Sequence, residues 1–274
     1  MYVDSHVHFW KLDRGDYTWI PRDNKVLAQD RLPAELKPIL DAHDVEGVIL
    51  VQAASTVAET DYMLELAEHH PWILGVVGGL QIAADEFQYD YERLRKNSKF
   101  AGIRINGSAF EEKDETRKQL ILKRLKVMEV DGFPIDILAR PHEIPSVLEF
   151  LKNVPDLKAV LNHLGVPPIK DQIEEPWKSL IQEIAAYPNT MVKISGMITQ
   201  AGGYHPELLA PYISHLIEMF GPQRIMFASD WPVALLGGSY EAVVQLFEAL
   251  LPAHWNEEER EPVRRLNAQR FYQV

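Results

Sequence analysis

Within the opening MYVDSHVHFW, Asp4, His6 and His8 alternate, and an alternating run of this kind reads as a strand whose even positions share one face. Two imidazoles side by side at the C-terminal end of a strand can bind a divalent metal or donate hydrogen bonds to a carbonyl oxygen. The opposite facing would push both imidazoles into an apolar layer, so Val3, Val7 and Phe9 are expected to face any covering helices. Further along, LNHLG carries His163 and FASDWP carries Asp230, each at the end of another apolar run. A carboxylate near several histidines and away from bulk water can act as a general base that takes a proton from water. GIRING adds Arg104 and Asn106, and a guanidinium there would either hold a carboxylate or carbonyl oxygen of a substrate or pair with one of the chain's acids. Asp136 in FPIDIL is ambiguous, because an acid in that position could pair with Arg104 or His163. His205, after Gly202 and Gly203, is the one other histidine placed to reach the same region. Trp10, Trp19 and Trp231 suit packing, or the walls around a small ring-shaped substrate.

Eight short runs rich in β-branched and apolar residues would have to bring these side chains together. They begin at Tyr2, Gly47, Ile73, Phe100, Phe133, Lys158, Met191 and Arg224. Most are continuous in apolar character, as expected of parallel strands covered on both faces. Between them lie stretches with helical spacing, among them PAELKPILDAH, ETRKQLILKRLKVMEV and PELLAPYISHLIEMF, and NEEEREPVRRLNAQRFY closes the chain. Eight alternations over residues 1–274 predict one α/β domain, a (β/α)8 or TIM barrel, with an open doubly wound sheet as the runner-up. No GxGxxG or Walker sequence supports a nucleotide-binding form of that runner-up. In a barrel, the ends of strands one, four, six and eight converge on one mouth. The segment from Lys11 to Arg31 has no clear helical period and reads equally as a cover over that mouth or as a packing loop.

Composition argues mainly by exclusion. With 28 basic against 40 acidic side chains the formal charge is -12, which repels a nucleic-acid backbone and an anionic membrane surface alike. The chain has no cysteine, so disulfides, thiolate metal sites and a cysteine nucleophile are ruled out and nitrogen and oxygen ligands remain. No Ser sits in a G-x-S-x-G setting, which removes the usual nucleophile elbow. The first residues lack the pattern of a secretory signal and no stretch approaches a bilayer span, so a cytoplasmic location is the default expectation. The oligomeric state is not readable, a homodimer being one option.

Taken together, DSHVHFW, YTWIP, GIRING, VLNHLGVPP, VKISG and MFASDWPV resemble the amidohydrolase superfamily, in particular its branch of sugar lactonases and 2-pyrone-4,6-dicarboxylate lactonases. The pieces span nearly the whole chain in the expected order. The resemblance implies a distorted (β/α)8 barrel that hydrolyses a cyclic ester, a small-molecule sugar lactone such as fuconolactone or rhamnonolactone. Family roles then fall on His6, His8 and His163 as metal ligands or carbonyl polarisers, with Asp230 as the base and a further ligand. Arg104, Asn106, Trp19 and Trp231 would contact the substrate. The implied cofactor is one divalent ion, zinc above others, with metal-free catalysis left open. The bridging residue and additional strand histidine of two-metal relatives have no counterpart in FPIDIL or MVKIS, which argues against a binuclear centre. Two other readings stand beside this one: a metal-dependent decarboxylase of aromatic or unsaturated acids, and a barrel that binds a sugar acid without turnover.

Overall fold

The computed structural model describes residues 1–274. The apolar runs form eight strands: β1 Tyr2–Val7, β2 Val45–Val51, β3 Ile73–Gly78, β4 Phe100–Asn106, β5 Ile135–Leu138, β6 Ala159–Leu161, β7 Thr190–Ile194 and β8 Ile225–Phe227. Each pairs in parallel with the next in chain order. The sheet closes through the backbone that follows β8, where Asp230 N donates to His6 O at 2.9 Å and His8 N donates to Trp231 O at 2.8 Å. The (β/α)8 barrel is therefore the fold, and the open sheet is not.

The connecting helices are α1 Pro33–Ala42, α2 Val57–His69, α3 Phe87–Leu94, α4 Glu115–Asp131, α5 Ile144–Leu151, α6 Trp177–Ala185, α7 Met197–Ala201, α8 Pro206–Phe220 and α9 Tyr240–Leu250, followed by α10 Glu257–Glu261 and α11 Asn267–Tyr272. Their starts follow local chemistry: the side chains of Thr56, Asp114 and Ser239 accept from the first-turn amides of α2, α4 and α9. The short α7 falls in a stretch whose glycines conceal any helical period from sequence reading.

Outward-facing strand residues such as Val48, Leu50, Val76 and Ile103 pack against the helices. Each fully buried aliphatic side chain of this kind contributes roughly 1.5–3 kcal/mol. Inside the barrel, Val3, Ile49, Val77, Met191 and Met226 form a smaller floor, closed from below by Phe271 and Tyr272 of α11.

Val3 in this floor corrects the expected facing of β1. The register against β2 shifts between Asp4 and Val7, and one irregular residue moves a side chain to the other face. Asp4 consequently points outward, away from His6 and His8. Its Oδ1 accepts from Ser229 N at 2.8 Å and His6 N at 3.2 Å, and its Oδ2 from Tyr240 OH at 3.0 Å. Burial pushes its carboxyl up to about 6 despite these donors. Asp4 thus stitches β1 to the segment carrying Asp230 and takes no place in the cavity.

The segment from Lys11 to Arg31 satisfies both of its readings. Trp10, Tyr17, Ile20 and Leu27 build a small core of their own with Ala54, while Asp16, Thr18 and Trp19 reach the rim of the barrel mouth. No helix is long and apolar enough to cross a membrane.

Candidate active site

The mouth of the barrel holds a cavity of about 850 Å³. At its base lie His6 of β1 and His8 just beyond that strand, both buried, with their Nε2 atoms 3.1 Å apart. Asp230 Oδ1 lies 3.4 Å from His8 Nε2, 3.8 Å from His6 Nε2 and 3.9 Å from His163 Nε2. Four groups separated by more than 220 residues of chain thus meet around one point.

Local backbone geometry explains how two of them turn inward. His163 is not in β6 but in the turn after it, where His163, Leu164, Gly165 and Val166 all have positive φ. Such conformations cost of order 1 kcal/mol or more for side-chain-bearing residues and need support from their surroundings. Trp177 supplies part of it by donating from Nε1 to Leu164 O at 2.7 Å. Asp230, with φ at 62°, likewise departs from the strand to face the cavity.

Each imidazole has a second partner that orients it. His8 Nδ1 lies 2.7 Å from Val51 O, a carbonyl that only accepts, so His8 carries its proton there and offers a lone pair at Nε2. His163 Nδ1 pairs with Ser195 Oγ at 2.8 Å, and His6 Nδ1 faces Lys193 Nζ at 3.4 Å. Burial keeps His163 down at about 4 and His6 well below its ordinary value, so both are neutral near pH 7. Burial alone would raise Asp230, but His163, His8 and Arg104 outweigh it and hold the carboxyl below its usual range. At neutral pH the ionised Asp230 carboxylate thus faces the neutral rings of His6 and His163.

Arg104 is buried on the cavity wall, with Nη1 donating to Gln52 O at 3.1 Å and Nε without a protein partner. Asn106 and Trp19 line the outer cavity, the latter 45% exposed with its Nε1 donating to Ala53 O at 2.8 Å. Trp231 does not line it: it is 1% exposed and packs edge-on against Phe9 in the outer core. His205 pairs with Glu207 at the surface, and Asp136 pairs with Lys193 and Tyr272 instead of Arg104 or His163. Sequence reading missed Ser195, Gln52 and Lys193. All three sit at or inside strand ends, but a lone Ser, Gln or Lys there carries no spacing signal.

The donors fit one divalent ion. His6, His8 and Asp230 each bring a ligand atom within 4.8 Å of the other two. Tetrahedral bonds of about 2.1 Å would place neighbouring ligand atoms roughly 3.4 Å apart, close to the 3.1, 3.4 and 3.8 Å separations here. His163 borders this set through Asp230 without belonging to it.

A (β/α)8 barrel whose mouth gathers three imidazoles, an ionised carboxylate and an arginine has the equipment of a hydrolytic enzyme. Its sequence matches the amidohydrolase family profile over residues 3–274, and the chain belongs to that family. Two L-fucono-1,5-lactonases are similar to it. That of Burkholderia ambifaria is 31% identical over 240 residues, covering 87% of this chain and 82% of the relative; that of Burkholderia multivorans is 31% identical over 264, covering 90% and 87%. An amidohydrolase from Burkholderia multivorans crystallised with bound zinc superposes with a TM-score of 0.90 at 30% identity, covering 100% of this chain and 99% of that one.

Proposed function

We propose that the protein is a sugar lactonase that opens a small aldonolactone by attack of water on its carbonyl. The observation that carries this reading is Asp230 Oδ1 within 3.4–3.9 Å of three imidazole Nε2 atoms at the base of an open cavity. The L-fucono-1,5-lactonase relatives support the same substrate class.

In this reading Asp230 takes a proton from water as the oxygen bonds to the carbonyl carbon. The oxyanion that forms is met by the Arg104 guanidinium and by His163 on the cavity wall. The ring C–O bond then breaks, and the departing alkoxide takes back the proton held by Asp230, leaving a hydroxy acid. A divalent ion held by His6, His8 and Asp230 would add Lewis-acid polarisation of the carbonyl.

The walls favour a neutral polyol over a dicarboxylate. Asp16, Glu143 and Asp230 line the cavity against only two cations, Arg104 and Arg140. Arg104 Nε and Gln52 Oε1 are buried there with no protein partner, a donor and an acceptor suited to substrate hydroxyls. The test is a pH-indicator panel of aldono-1,5-lactones, L-fucono-1,5-lactone first, beside pyrone carboxylates, run with chelator and with added zinc. Hydrolysis of aldonolactones with little turnover of pyrone dicarboxylates is expected. Carbon dioxide release from an aromatic acid with every lactone intact would replace the reading by a decarboxylase.

A further inference from the structure

Beneath the cavity lies a buried assembly that the hydrolytic mechanism does not use. Lys193 of β7 points into the barrel with its side chain fully enclosed. An ammonium has three donors and no acceptor, and here each donor has one partner: Ser5 O at 2.7 Å, Asp136 Oδ2 at 2.6 Å and His6 Nδ1 at 3.4 Å. Asp136 is held in turn from below, its Oδ1 accepting from Tyr272 OH at 2.6 Å. Tyr272 belongs to α11, the helix that plugs the barrel floor, and its ring lies under the ammonium at 5.3 Å.

The direction of these bonds determines what His6 shows to the cavity. Facing only donors, His6 Nδ1 must accept, which leaves the neutral ring's proton on Nε2. His8, whose own proton points at Val51 O, supplies the lone pair that receives it across 3.1 Å. We propose that Lys193, braced by Asp136 and Tyr272, is a positioning residue that fixes metal-free His6 as the Nε2–H tautomer. His6 Nε2 thereby carries a proton that it donates to His8, and a divalent ion must displace that tautomer before His6 can ligate. The bonding scheme rests only on these contacts; its bearing on turnover rests on the lactonase reading.

The tautomer is measured without substrate, so its failure and that of the lactonase reading are separable. Protein labelled with 15N-histidine and stripped of metal by chelator is examined by long-range 1H–15N correlation, with His6 assigned by comparison with His6→Gln. A protonated Nε2 and an unprotonated Nδ1 are expected for His6. A proton on Nδ1 in the wild-type protein overturns the proposal, whatever any variant does. The paired substitution Lys193→Met with Asp136→Leu removes the cation without stranding its buried counter-charge. It should release His6 to a mixture of tautomers and tighten zinc binding by about tenfold or more, measured by competition with a chelating dye. Tyr272→Phe, which keeps the ring and loses the bond to Asp136, should shift both readouts in the same direction by less. Unchanged tautomer and zinc affinity in these variants would reduce Lys193 to a packing role and contradict the proposal.

Discussion

Arg104 shows how burial leaves a single side chain ready for the role proposed for it. It is buried on the cavity wall, fixed through one nitrogen to Gln52 O and left with Nε unpaired. Burial lowers its hold on the proton, but the nearby Asp230 and Asp136 oppose this and a guanidinium stays charged. Arg104→Met keeps much of the volume and loses the donors, so kcat/KM for an aldonolactone should fall about 10²–10³-fold, the scale for removing an oxyanion donor. Steady-state kinetics on the best panel substrate checks this, and a loss below threefold would assign the role elsewhere. His6, His8, His163 and Asp230 were all identifiable from strand-end position, and the structure brings them together. Trp231, expected against the substrate, packs in the outer core instead, because Trp serves packing and binding equally; Asp4 faces outward against expectation, because a one-residue irregularity in β1 leaves no mark on an alternating pattern.

Among the elements, the connections after the strands do most to hold the cavity in shape. Gly196, between β7 and α7, has φ at +66°, and a Cβ there would lie 3.2 Å from His163 Nδ1 and 3.1 Å from Gln200 Nε2. Gly196→Ala should therefore press on His163 and lower kcat by about tenfold or more, with a smaller loss of stability, as small displacements of catalytic groups do. The β2–α2 connection is held by Glu59, whose carboxylate accepts from Ala53 N at 3.0 Å and Ala54 N at 2.7 Å. Burial raises Glu59 from 4.5 to about 7. Because its folded value is the higher one, the stability it contributes is complete below the unfolded value and is lost as pH rises through 7. The melting temperature of Glu59→Gln relative to wild type should thus move in the variant's favour between pH 5 and pH 8, by an energy of up to about 3 kcal/mol. A difference that is flat with pH would show that Glu59 does not ionise in this window. Strand and helix positions were readable because both periodicities are strong here. The positive-φ turn at His163 and the five-residue α7 were not, since each depends on tertiary support and not on local preference.

For the molecule as a whole, closure of the sheet brings distant residues to one point. β1 and the segment after β8 meet through Asp230 N to His6 O and His8 N to Trp231 O, so joining the barrel's two ends also assembles the site. Eight alternations made the barrel readable; the plug formed by α11 and its reach through Tyr272 to Asp136 and Lys193 was not, because a contact across 136 residues has no sequence signature. In the proposed mechanism this closure places Asp230 where it draws a proton from the attacking water. The most direct test compares wild type and Asp230→Asn in single-turnover hydrolysis of the best aldonolactone, with substrate binding measured separately. The substitution keeps the shape and removes the base, so a fall of about 10³-fold in the hydrolytic step is expected, with binding changed far less. Hydrolysis at the wild-type rate by a folded Asp230→Asn protein would show that Asp230 is not the base.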